Sequence, residues 1–165
     1  MRTRGQTRVR TLIHRKDHGA NLVEFAILAP FLILLLLGII EFGWLMGVNN
    51  DVKHGAREGA RFAAVDGGSN AAIRTYVCNA MEPIGGSGLQ TLEIKLNQVD
   101  ADSNGSVTIG DTGVISVRGT TSSLSGAGFI EVFLPSQLES TLDFRLEQNP
   151  ASWSDDGATY TAVTC

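Results

Sequence analysis

The sequence predicts an α+β protein: a long N-terminal transmembrane and stem helix packed against a small outer domain with a short helix and an antiparallel β-sheet. Three observations predict it. Phe25 to Ile40 is a run of sixteen residues without a charge. Small residues then recur four apart, at Gly43 and Gly47 and again from Gly55 to Ala64, the spacing of neighbours on one helix face. Further on, the period changes to strict alternation, with Leu92, Ile94 and Leu96 facing one way and Thr91, Glu93, Lys95 and Asn97 the other.

A chain of 165 residues suffices for one compact domain with an appendage, which excludes a large multidomain enzyme. The formal net charge of -4 conceals two regions of opposite sign. Residues 1–19 hold six basic residues (Arg2, Arg4, Arg8, Arg10, Arg15, Lys16) against Asp17, and the remainder holds seven against sixteen acids. The acidic body argues against a nucleic-acid partner, since phosphate neutralisation needs clustered Lys and Arg. With 43% apolar and 18% charged residues, neither disorder nor a charged coiled coil fits.

As a helix, Glu24 to Glu41 spans roughly 25 Å, close to the ~30 Å hydrocarbon thickness of a bilayer. The basic residues precede the span, so the positive-inside rule expects residue 1 in the cytoplasm and everything after Val48 outside, with Trp44 in the outer aromatic belt. A cleavable secretory signal has a similar outline. Against it, the apolar run is longer than a usual h-region, and WLMGVNNDVKHGAREGARFAAV continues as helix without a small-x-small cleavage site. No Cys follows the run at once, which disfavours a lipid-anchored lipoprotein. Glu24 stands at the entrance to the bilayer, where a carboxylate calls for a cation. A cut between Gly19 and Ala20 would create one, the α-amine of Ala20.

The stretch Gly19-Ala20-Asn21-Leu22-Val23-Glu24-Phe25, then Pro30, a Leu/Ile run, Ile40-Glu41-Phe42-Gly43 and Ala56-Arg57-Glu58-Gly59-Ala60-Arg61, resembles TadE-like minor pilins, or pseudopilins, of bacterial tight-adherence (Tad/Flp) pili. The resemblance covers about residues 19–65; Arg145-Leu146-Glu147-Gln148 with Trp153 also looks like the C-terminal part of some members, and residues 66–140 carry no diagnostic pattern. It implies cleavage by prepilin peptidase after Gly19, leaving Ala20 first and Glu24 fifth. It also implies pairing of that acid with a neighbouring subunit's terminal amine as helices leave the membrane for a filament. Other pilin and pseudopilin subunits, membrane lipids and the pilus assembly machinery are the implied partners, and the cytoplasmic membrane, then the cell surface or pilus, the implied location. Major Flp pilins are much shorter, so a minor, tip or priming subunit is implied. The expected organisation is a leader over 1–19, a transmembrane and stem helix over 20–66, and an extracytoplasmic α+β domain over 69–165.

Within the stem, Gly55, Gly59 and Ala63 form one stripe and Ala56, Ala60 and Ala64 an adjoining one, while Gly43 and Gly47 form a small-x3-small pair just above the span. Each admits a close backbone, either of this chain's own outer domain or of another helix. Glycine in an exposed helix interior costs about 1 kcal/mol relative to Ala, so a packing reason is expected. Pro30 should kink the span. Arg57, Glu58 and Arg61 read as a solvated face. Asp66-Gly67-Gly68 ends the helix.

Ser69 is placed to cap a second helix reaching about Met81, stopped by Glu82-Pro83 and followed by the flexible Gly85-Gly86-Ser87-Gly88. Strands are expected at 91–97, 107–109, 114–118, 142–146 and 160–163. Cys78 and Cys165, the two cysteines, both fall in the outer part, where an oxidising compartment and an even count favour a disulfide over two thiols.

Asp100, Asp102, Asn104, Ser106 (with Thr108) and Asp111 fall at oxygen-ligand positions of a calcium loop with Gly105 at its sixth place. Strands flank it instead of helices, its twelfth residue is Asp instead of Glu, and a polar hairpin turned at Asn104-Gly105 explains the same letters. His14 and His18 lie in the basic leader and His54 stands alone. No nucleophile elbow, P-loop or zinc signature occurs, so no enzymatic activity and no cofactor other than candidate calcium is expected. Asp155 and Asp156 read as a solvated loop. The alternative is an uncleaved single-pass membrane protein whose outer domain binds a ligand or calcium.

Overall fold

The computed structural model describes residues 18–66, 68–85, 89–121, 123, 135–150 and 153–164. The elements are α1 (His18–Asp66), α2 (Asn70–Gly85), β1 (Leu89–Val99), β2 (Thr112–Thr121), β3 (Gln137–Arg145) and β4 (Thr161–Val163). The fold is α+β. Two compact units divide α1, one over residues 1–36 and the other over 37–165.

In the first unit, α1 runs without a break through Pro30. Its side chains are apolar on all sides and exposed, Phe25 at 63% and Phe31 at 68% among them. A helix apolar all round is stable only where apolar surroundings cover it. Among the described residues, α1 is the one helix long and apolar enough to cross a membrane, and its most apolar stretch is not buried within the protein.

In the second unit, the same helix becomes one-sided. Leu45, Val48, Val52, Ala56, Ala60 and Ala63 recur every three or four residues and are buried, while Lys53, His54, Arg57 and Arg61 are exposed. The buried face shares its core with Ile73, Val77 and Met81 of α2, one turn apart, and with the inner face of the sheet, led by Leu92, Ile94, Leu96, Ile115, Val117 and Leu138.

Ser69 caps α2 as expected, its Oγ accepting from the Ala72 amide at 3.2 Å. The helix runs on to Gly85, past the expected stop at Met81. Pro83 deletes a single amide in the last turn and does not terminate it. At the other junction, α1 ends at Asp66 and the Glu147 amide donates to the Ala64 carbonyl at 3.1 Å, satisfying one otherwise open end group.

The sheet is antiparallel in the order β3-β2-β1-β4. Four of the expected strands are present, with β2 and β3 longer than expected. The expected strand at Val107–Ile109 is not: its amides go to side chains, Thr108 to Asp111 at 2.7 Å and Ile109 to Asn149 at 3.1 Å. β1 and β2 therefore pair as far as Val99 and Thr112 and are joined by a long loop, so the hairpin turned at Asn104-Gly105 is not formed by strands. On the outer face, Glu93, Arg118 and Glu139 lie in register across three strands. Tyr160 lies over the Arg118 guanidinium at 3.9 Å and donates its hydroxyl proton to Glu139 at 2.6 Å.

Glycine decides how closely α1 meets the domain. A Cβ at Gly59 would fall on Val77 and 2.7 Å from Ile115 Cδ1, and one at Gly55 would lie 2.6 Å from Met81 Cγ. At Gly43 and Gly47 it would meet nothing within 4 Å. Gly59→Ala is accordingly expected to destabilise the detergent-solubilised protein by about 1–3 kcal/mol through overpacking. Gly47→Ala is expected to be neutral or stabilising by up to about 1 kcal/mol through helix propensity. Denaturant unfolding of the two variants side by side measures the difference.

Candidate functional site

The expected processing junction falls on the first turns of α1. Gly19 is exposed, with open space around it. Ala20 and Glu24 are four residues apart and so lie on one helix face. Helical side chains lean toward the N-terminus, which carries the Glu24 carboxylate back over the turn that holds Ala20. Glu24 is exposed and, among the described residues, has no hydrogen-bond or ion-pair partner. An amine released at Ala20, in this copy or a neighbour, would meet a carboxylate whose acceptor positions are open to it. Residues 1–17, including His14, lie outside the described residues.

The stem residues separate into two groups. Gly55, Ala56, Gly59, Ala60, Ala63 and Ala64 are buried against the chain's own domain. Gly43 and Gly47 are exposed and uncovered. Glu41 is 2% exposed and engaged within the protein, and Asp51 is 6% exposed.

In the loop between β1 and β2, Asp100, Asp102 and Asp111 bring carboxylate oxygens within 4.8 Å of one another. The other two expected donors are turned to each other: Asn104 Oδ1 accepts from the Ser106 amide and hydroxyl, both at 2.9 Å. Backbone amides already serve the acids. Asp100 accepts from Gly105 at 2.7 Å and Asn104 at 3.2 Å, and Asp111 from Thr108 at 2.7 Å and Ala101 at 2.9 Å. Gly105 and Gly110 hold positive φ, 89° and 100°, conformations the loop needs and glycine adopts freely. The Gly105 amide holds the Asp100 carboxyl below its usual range, and the Thr108 amide does the same for Asp111 against the opposing effects of burial and the Asp100 charge.

Sequence reasoning missed Asp156. It is not a solvated loop residue: its Oδ2 accepts from Arg74 at 2.6 Å and from the Leu96 amide at 2.9 Å, and its Oδ1 from Asn70 at 2.9 Å. This one carboxylate ties α2 to β1. Asp155 receives Asn97 Nδ2 at 2.9 Å beside it. No short motif marks either residue, since the partners are more than fifty residues away in sequence. Cys78 is buried on α2 and its sulfur is bonded, not a free thiol; Cys165 lies outside the described residues.

Asp111 supplies a pH test. Its folded carboxyl titrates below the unfolded value of about 3.9, so the stability it contributes is present above that value and is lost as pH falls through the lower folded one. Asp111→Asn is expected to flatten this acid limb and to speed hydrogen exchange at the Ala101 and Thr108 amides. Unfolding at a series of pH values, with exchange at neutral pH, reads both.

No curated protein and no solved structure matches the chain. One family model does. Its match begins at Gly19 and takes in Glu24, the exposed apolar run, Gly43, Gly47 and the stem as far as Arg61. The family is a structural, non-enzymatic kind of protein. Residues 19–61 thus carry the segment described as TadE-like protein, consistent with a TadE-like protein of Tad pilus systems.

Proposed function

We propose that this chain is a minor pilin, or pseudopilin, of a tight-adherence pilus, held in the cytoplasmic membrane by the lower part of α1 with its α+β domain outside, and acting in pilus assembly or priming. The observation that carries this reading is the division of one helix into a lipid-suited segment and a domain-bearing stem, within the TadE-like match over 19–61. Its chemistry is packing and charge pairing without turnover. Prepilin peptidase cuts after Gly19; Ala20 becomes the first residue; Glu24 pairs with the amine of a neighbouring copy and sets its register. A charge within an apolar span costs roughly 2–3 kcal/mol when unpaired, so pairing favours ordered stacking over free dispersal in the membrane. Cys78 and Cys165 form a disulfide that closes the outer domain.

Intact mass of the membrane-extracted native protein tests the processing step. A start at Ala20 is expected, and retention of Arg2 to Gly19 favours an uncleaved single-pass protein instead. With Glu24→Gln as the sole copy, membrane insertion is expected to persist while incorporation into filaments falls; normal piliation by that variant would count against the pairing role.

A second reading, calcium binding by the outer domain, draws on the convergence of Asp100, Asp102 and Asp111. Titration calorimetry of the full chain in detergent decides it. Binding at or below millimolar calcium that disappears in Asp102→Ala supports the reading, and no heat at millimolar calcium removes it.

A further inference from the structure

The loop between β1 and β2 holds an asparagine followed by a glycine, Asn104-Gly105, and both residues are exposed. In such a pair the carboxamide carbon and the next backbone nitrogen meet with little hindrance, because glycine has no side chain. The place a Cβ would take at Gly105 is open space. The Asn104 side chain reaches forward along the chain: its Oδ1 accepts from the Ser106 amide at 2.9 Å, two residues on. The carboxamide therefore lies across the peptide unit that joins Asn104 to Gly105.

The partners of this pair are the ones that attack of the Gly105 nitrogen on Asn104 Cγ needs. The Gly105 amide donates to Asp100 Oδ2 at 2.7 Å, which sets a proton acceptor on the nucleophile. Asn104 Oδ1, where negative charge would develop, is held by two donors, the Ser106 amide and the Ser106 hydroxyl, both at 2.9 Å. Nδ2, the leaving nitrogen, donates to Asp102 Oδ2 at 2.7 Å, so the carboxamide is kept in one orientation. The Asn104 amide is bound as well, to Asp100 at 3.2 Å and Asp102 at 3.1 Å, and the reacting groups are thereby held together by the fold.

We propose that Asn104 is a site of self-modification, converted by its own loop from an amide to an acid through a cyclic imide. The Gly105 nitrogen bonds to Asn104 Cγ as its proton passes to Asp100. The oxyanion at Oδ1 then collapses, the Cγ–Nδ2 bond breaks, and Nδ2 leaves as ammonia with the proton that Asp100 took up. Water opens the imide at either carbonyl and gives an aspartyl or an isoaspartyl residue. One water is consumed and one ammonia released, with no change of oxidation state. The product adds a carboxylate beside Asp100 and Asp102 and loses the donor that bound Asp102, so like charges meet where a hydrogen bond stood. The change runs one way, and its extent records the age of the folded domain.

The test uses the full chain in detergent at neutral pH, with a chelator to keep cations off Asp100. Peptide mass spectrometry follows the conversion at Asn104, and enzymatic methylation of isoaspartate reads the same event independently. The folded chain is expected to convert at least about tenfold faster than the same chain in denaturant, where only the Asn-Gly pair remains. Asp100→Asn is expected to slow the folded chain at least about tenfold by removing the proton acceptor. Ser106→Ala is expected to slow it about threefold or more by removing one donor to the oxyanion. Should Asp100→Asn fail to fold, Ser106→Ala and the comparison with denaturant decide without it. A folded chain that converts no faster than the denatured one, or a folded variant of either kind that converts at the unaltered rate, would overturn the assignment.

Discussion

An α-helix satisfies its interior amides and carbonyls within itself, and on that property everything else in this molecule depends. It allows one element, α1, to pass from a segment apolar and exposed all round to a stem packed against protein with no change of backbone. Only the side chains change. From Phe25 to Leu36 they are apolar on every side, and from Leu45 onward the apolar ones keep to one face. A sheet could not make this transition without leaving an open edge in hydrocarbon. The domain is therefore built on the helix: the core shared by α2 and the sheet is completed by the stem's own alanines and valines.

The parts of this design that rest on local pattern were legible in the sequence. The uncharged run from Phe25 to Ile40 shows the span, Ser69 shows the start of α2, and the alternation about Leu92 to Leu96 shows β1 with its buried face. Features that depend on distant partners were not legible. Val107 to Ile109 has strand-like residue types, but the Thr108 amide turns back to Asp111 three residues on, and the Ile109 amide goes to Asn149, forty residues away. Asp156 looks like any loop acid until Arg74 and Leu96 are brought to it. Gly43, Gly47, Gly55 and Gly59 are alike as letters, and only the position of α2 shows which two are covered.

Several charges of the α+β domain hold its elements together. Glu93, Arg118 and Glu139 cross three strands under the ring of Tyr160, and Asp156 joins a helix to a strand. The acids between β1 and β2 order a long loop through backbone amides, which lets the loop keep a defined shape without a hydrophobic centre.

The tight fit of Val77 against Gly59 has a consequence for how the molecule is aimed. With no room for slip there, α1 cannot rotate about its own axis beneath the domain, and the compass bearing of every outward stem residue is dictated from the interior. Drift in core volume at Val77, Met81 or Ile115 would be felt at a distance, as a change in the direction the outward stem residues face. Interior packing and the bearing of the stem surface are, for this chain, inherited together.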